Sequence, residues 1–138
     1  MFHLTIVTAE QPVYEGEIEM LIAPAIDGEI GILTNHHPLV TKLGPGAMRV
    51  VKADKSEEIL FVSGGYLEVN NNKATILADI AENIEAIELE KARDARQKAQ
   101  EMLKHVKGDV DQAKLEEELR VAMMRERLAD VAQYKKRK

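Results

Sequence analysis

Apolar residues recur at every second position in short runs through the first eighty residues of the chain. Leu4 and Ile6 alternate with Thr5; Ile18, Met20 and Ile22 alternate with Glu19 and Leu21; Leu67 and Val69 flank Glu68. A period of two is that of strands with one face buried. The runs are separated by EQP, APAIDG, LGPG, ADKS, SGG and NNNK, stretches in which glycine supplies positive φ, proline fixes φ, and Asn and Asp form local side-chain turns. Many short strands with close turn signals predict an antiparallel β-sandwich or barrel over residues 1–83. SGGYLEV, at 63–69, reads as a bend between strands, because its glycines do not open a helix as a phosphate cradle requires.

Beyond residue 83 the period lengthens. Residues 84–106 contain no Gly or Pro, and Ile87, Ala92, Ala95, Ala99, Met102 and Val106 fall mostly three or four apart, which predicts a helix with a narrow, alanine-rich stripe. Its acids, Glu85, Glu88 and Glu90, come early, and Arg93, Arg96, Lys98 and Lys104 come later, in keeping with the helix dipole. Gly108 suits a left-handed stop, and Asp109 with Gln112 three residues on has the spacing of a capping box. A second helix follows to about Val131, with Leu115, Leu119 and Ala122 on one line and Val121, Met124, Leu128 and Val131 on another. The expected fold is therefore β + α: a sandwich over 1–83, then an antiparallel two-helix hairpin over 84–138. Two helices enclose little apolar volume. The β domain, a partner subunit or each in turn must cover the rest, which points to a movable element.

At 138 residues the chain has the size of one domain plus an appendage, and it has no Cys, which closes disulfide, thiolate-zinc and cysteine-nucleophile chemistry. No stretch approaches the roughly 18 consecutive apolar residues of a membrane span, and MFHLTIVTAE is not a signal sequence, so a cytosolic-type chain is expected. A net charge of −5, with two Phe, three Tyr and no Trp, argues against nucleic-acid binding. The charge is uneven: residues 120–138 hold seven basic side chains against Glu126 and Asp130, a local +5 that leaves −10 on the remainder. Such a block forms a solvated tail or seeks an acidic surface.

GEIGILTNHHP, residues 28–38, is the stretch richest in candidate chemistry. Adjacent residues of an extended segment point to opposite sides, so His36 and His37 do not readily share a metal, and a site there needs Asp27 or Glu29 together with the distant His3. No P-loop, nucleophile elbow or dinucleotide fingerprint is present. The residues by themselves yield a non-catalytic adaptor with a β body and a basic-ended helical arm; a small metal-dependent enzyme using the 27–37 loop and a freestanding ATP-sensing module are the alternatives.

GEIGILTNHHPLV resembles a G-E-L-G-I-L-P-G-H-x-P-L segment, SGGYLEV an S-G-G-x-L-E-V segment, and GDVD the start of the last helix, in the epsilon-subunit family of bacterial F-type ATP synthases. Order, spacing and length agree along essentially the whole chain. The resemblance implies a ten-stranded sandwich and a two-helix domain on the central rotor stalk, beside the gamma subunit and over the c-ring. It also implies a peripheral place on the cytoplasmic face of the bacterial cell membrane, no catalysis and no required cofactor. The helices are expected to fold down or to extend along gamma, the extended form blocking ATP hydrolysis.

By matched position, Glu29 is the expected contact to the polar loops of the c-ring, an exposed carboxylate facing groups of opposite charge, and His36 the contact to gamma. TNHHP stands where PGH-x-P is commoner, which implies a reshaped loop tip. In the family, basic residues of the last helix meet an acidic segment of the beta subunit in the catalytic head of alpha and beta subunits, and this chain offers Arg120, Arg125 and Arg127 with the terminal KKRK for that contact. Some members bind ATP through an I/L-D-x-x-R-A motif. The corresponding IELEKA, 87–92, offers Glu88 and Lys91, with Arg125 downstream and Val121 where another arginine would be. Lys lacks the planar fork of Arg, and Glu88 and Lys91 also have the spacing of a simple i,i+3 surface pair.

Overall fold

The computed structural model describes residues 1–106 and 108–137, the side chains of 109, 110, 136 and 137 excepted. The strands are β1 (Phe2–Val7), β2 (Pro12–Ile18), β3 (Met20–Ala25), β4 (Gly28–Leu33), β5 (Leu39–Lys42), β6 (Gly46–Val51), β7 (Glu57–Ser63), β8 (Tyr66–Asn70), β9 (Lys73–Leu77) and β10 (Ile80–Asn83). A 3-10 turn (Ile84–Ala86) and the helices α1 (Leu89–Lys104) and α2 (Asp109–Arg137) follow. Two compact units result, Met1–Asn83 and a second beginning at Ile84.

The first unit consists of two five-stranded sheets, ordered β2-β1-β9-β8-β5 and β10-β7-β6-β3-β4. All pairings are antiparallel except β1 with β9, whose register runs from His3↔Lys73 to Val7↔Leu77. Alternate side chains of both sheets form one core. Phe2, Leu4, Ile6, Leu67, Val69 and Ile76 come from the first sheet, and Leu21, Ile32, Met48, Val50, Leu60 and Val62 from the second. The β8–β9 hairpin closes in two residues, Asn71 (φ 51°) and Asn72 (φ 61°), a positive-φ pair that asparagine tolerates and that matches strand twist.

The alternation expected through Ile18, Met20 and Ile22 is corrected by the structure. Ile18 ends β2 in the first sheet and Met20 begins β3 in the second, with Glu19 as the corner. The corner shifts the buried set by one, so that Leu21 and Ala23 are buried while Met20 and Ile22 are half-buried. Glu19 is held by its N–H donating to the Val51 carbonyl (2.8 Å) and by Lys55 Nζ at 2.5 Å from its carboxylate. In the ADKS turn the Ser56 N–H donates to the Asp54 carboxylate (3.0 Å), and the Ser56 hydroxyl does too; both hold the Asp54 carboxyl below its ordinary range. A later sheet crossing, β7 to β8, runs through Gly64 (φ 70°) and Gly65 (φ 94°).

In the second unit the helix expected from residue 84 starts at Leu89. Ile84–Ala86 winds as a 3-10 turn that buries Ile84, and Glu88 takes extended angles (φ −80°, ψ 116°) as the cap, its side chain making no capping bond to the helix start. The described end of α1 is His105, whose N–H donates to the Met102 carbonyl (3.2 Å). The stop expected at Gly108 adjoins Lys107, outside the described residues. The Gln112 N–H donates to the Gly108 carbonyl (2.9 Å), so Gly108 precedes the first turn and Asp109 is already helical, one position from the expected cap. The Gln112 side chain bonds forward to Glu116 (3.2 Å), not back to the helix start. Helix α2 continues past Val131 to Arg137.

The expected alanine stripe is also corrected. Ala95 and Met102 are exposed, and the inward face of α1 runs Leu89, Ala92, Arg96, Ala99, Leu103, with only Ala92 fully buried among its described residues. Gaps of three, four, three and four rotate the face away from Ala95 and place a guanidinium on it.

Candidate functional site

Strand β4 lies at the edge of the second sheet, and the alternation that buries Ile32 leaves Glu29 exposed opposite Pro24. Asp27, in the preceding turn, is exposed too. After β4 the chain turns at Asn35 (φ 62°), and the His36 N–H returns to the Leu33 carbonyl (3.2 Å). The Asn35 N–H donates to the Asn72 side-chain oxygen (2.8 Å), and the Asn72 amide donates to the Met1 carbonyl (2.9 Å). The Thr34-Asn35 pair that replaces Pro-Gly is thus a braced left-handed turn tied to the β8–β9 hairpin. This brace was not read from the sequence, although an Asn pair facing a second Asn turn is the signal for it.

His36 is half-buried, with Nδ1 at 2.7 Å from the His37 carbonyl; a carbonyl only accepts, so Nδ1 carries the proton. His37 is exposed. His3, the distant ligand a metal site would need, has Nδ1 at 3.2 Å from Glu17 and Nε2 at 3.3 Å from Glu15. Among the described residues no cluster of three His, Asp or Glu is arranged to hold a metal.

On the hairpin, Lys91 Nζ is 3.4 Å from the Glu88 carboxylate, an exposed i,i+3 pair. Arg120 pairs one turn back with Glu117 (3.2 Å), Arg125 is half-buried and Arg127 exposed. The side chains of Lys136, Arg137 and Lys138 lie outside the described residues. One grouping was missed by sequence reading. Arg96 Nε donates to Glu126 (2.7 Å) and Nη1 to Gln100 (2.7 Å), while Arg93 Nε is 3.9 Å from the same Glu126 carboxylate. Glu126 holds the Arg96 guanidinium above its ordinary range. The signal was a charged residue at helical spacing inside an apolar stripe, which requires a partner. Arg127, Asp130 and Met123 join these residues around an open cleft of about 420 Å³.

The surfaces so defined carry an exposed carboxylate at a sheet edge, a braced histidine loop and a helix segment with basic side chains on more than one side, arranged for contact rather than for turnover. The family model for the β-sandwich domain of the ATP synthase delta/epsilon chain matches residues 1–84, and that for its long α-helix domain residues 85–130. Two bacterial ATP synthase epsilon chains align over 136 residues, 99% of this chain and 97% of each relative: that of Delftia acidovorans at 38% identity and that of Polaromonas naphthalenivorans at 40%. A chain of the Euglena gracilis mitochondrial ATP synthase, solved with its F1 and c-ring, shares the fold with a TM-score of 0.76 at 22% identity, covering 88% of this chain and 76% of that one. The chain belongs to the delta/epsilon family of ATP synthase subunits. Within that family it takes the place of the bacterial epsilon chain: a non-catalytic subunit whose partners are those of the ATP synthase. The ten-stranded sandwich and helical hairpin expected from the resemblance are present.

Proposed function

We propose that the sandwich couples the gamma subunit to the c-ring on the central stalk, and that the hairpin restrains ATP hydrolysis by the beta and alpha subunits. In this reading Glu29 meets the polar loops of the ring and His36 faces gamma. The observation that carries the coupling role is the exposed Glu29 on edge strand β4, followed by a loop fastened through Asn35, Asn72 and Met1. A braced loop transmits torque with little loss to local bending. Arg120, Arg125 and Arg127 would meet an acidic surface of the beta subunit. The assembly would sit at the cytoplasmic face of the bacterial membrane; no helix among the described residues is long and apolar enough to cross it.

The experiment is deletion of residues 111–138 in the reconstituted complex. Exposed ion pairs contribute about 1 kcal/mol or less each, so several acting together correspond to a coupling of roughly fivefold or more. Hydrolysis is expected to rise by that factor while assembly stays intact; unchanged hydrolysis overturns the inhibitory role.

We further propose that no cofactor is required. The pairing of Glu88 with Lys91 supports a surface role for both in place of an ATP site with Arg125. Isothermal titration of the full chain with MgATP should show no saturation below about 1 mM. Tighter saturable binding would assign these residues to a nucleotide.

A further inference from the structure

We propose that Glu126 is a latch holding the hairpin closed, and that it opposes docking of α2 onto an acidic partner once the hairpin opens. The apolar seam between the helices is built mostly of small side chains: α1 contributes one fully buried residue, Ala92, with Leu89, Ala99 and Leu103 half-buried, and the buried residues of α2 are Leu128, Ala129 and Ala132. Small side chains bury little area, so closure depends heavily on the polar contacts made at mid-helix. Those contacts converge on one carboxylate. Arg96 grips Glu126 with Nε at 2.7 Å and Nη2 at 3.5 Å, Gln100 fixes the guanidinium from one turn further along α1, and Arg93 approaches from one turn before. The side chains of Arg96 and Glu126 are 24% and 22% exposed, sheltered enough for a forked charge pair to exceed an ordinary surface bridge.

The same carboxylate acts a second time through charge. Residues 120–138 carry +5 with Glu126 counted. In the closed hairpin its charge is matched by α1. In an open arm it leaves those partners and is carried, between Arg125 and Arg127, toward an acidic surface that repels it. Neutralising Glu126 therefore favours the open arm twice over. This second role rests on the proposed inhibitory function; the latch does not.

The test uses the full chain, whose lack of native Cys permits spin labels at Lys98→Cys and Glu118→Cys, exposed positions on α1 and α2. Glu126→Gln should raise the long-distance population by about fivefold, and the swap Arg96→Glu with Glu126→Arg should restore the short distance. In the reconstituted complex Glu126→Gln should lower ATP hydrolysis. A distance distribution unmoved by Glu126→Gln, with circular dichroism showing both variants folded, overturns the latch. A moved distribution with unchanged hydrolysis supports the latch and overturns the inhibitory reading.

Discussion

Gly65→Ala is expected to destabilise the sandwich by about 3 kcal/mol or more, and Gly64→Ala by only about 1 kcal/mol, although the two glycines are adjacent and both have positive φ. A Cβ on Gly65 would lie 1.9 Å from the Leu77 carbonyl oxygen and 2.8 Å from the Ala78 Cα. Those are backbone atoms at the end of β9. They are fixed by the Tyr66↔Leu77 register and by the Ala78 N–H donating to the Val7 carbonyl (3.0 Å). Relief requires displacing a strand end, and the Gly65 carbonyl, which accepts from the Leu43 N–H (3.0 Å), moves with it. A Cβ on Gly64 would instead meet the Asp79 carboxylate at 2.1 Å, the far end of a side chain that can rotate away. Its cost is then mainly that of φ 70° for a residue with a side chain. Urea unfolding of the two variants measures the difference; equal losses would refute the close-approach account.

Leu67→Ala should cost about 3–4 kcal/mol, whereas Leu77→Ala, on the neighbouring strand, should cost well under about 1 kcal/mol. Leu67 is fully buried on the inner face of β8, paired with Ile76 of β9 and packed into the single core. Truncation there leaves a cavity that the close-packed sheets cannot collapse around. Leu77 is 55% exposed, one position beyond Ile76, and points the other way. Both variants keep the strand register, so midpoints from thermal unfolding compare packing alone. For a domain whose whole stability is about 5–15 kcal/mol, the first loss is a large share and the second is small.

The strand half of the fold was legible wherever a strand kept one face to the core for its whole length, as at Leu4 and Ile6 or Leu67 and Val69. It was not legible at Glu19. A chain that changes sheets also changes which parity is buried, and the run Ile18, Met20, Ile22 carries no glycine or proline to announce the corner. In the helices, existence and order were readable, but rotation was not. Alanine is too small and too common to define a face, so Ala95 and Met102 drew the expected stripe away from Arg96. The exposed Glu29 follows from residues that stand in GEIGILTNHHP and the glycine bend from SGG, whereas the brace on the loop depends on Asn72 and Met1, outside that stretch. The Arg96–Glu126 pair did not, because the partners are 30 residues apart and each looks solvated in its own segment.

The parallel pairing of β1 with β9 sets a condition on how the molecule comes into being. β1 lies inside its sheet, between β2 and β9, yet His3 must wait for Lys73 before that second edge is filled. During synthesis, β1 can form its hairpin with β2 early, but it leaves a bare row of backbone donors and acceptors until nearly the entire sandwich has been translated. Contacts of such long range are slow to form. The nascent chain therefore carries an open sheet edge until β9 is made, and an unpaired edge of that kind is a template on which a strand of another chain can add.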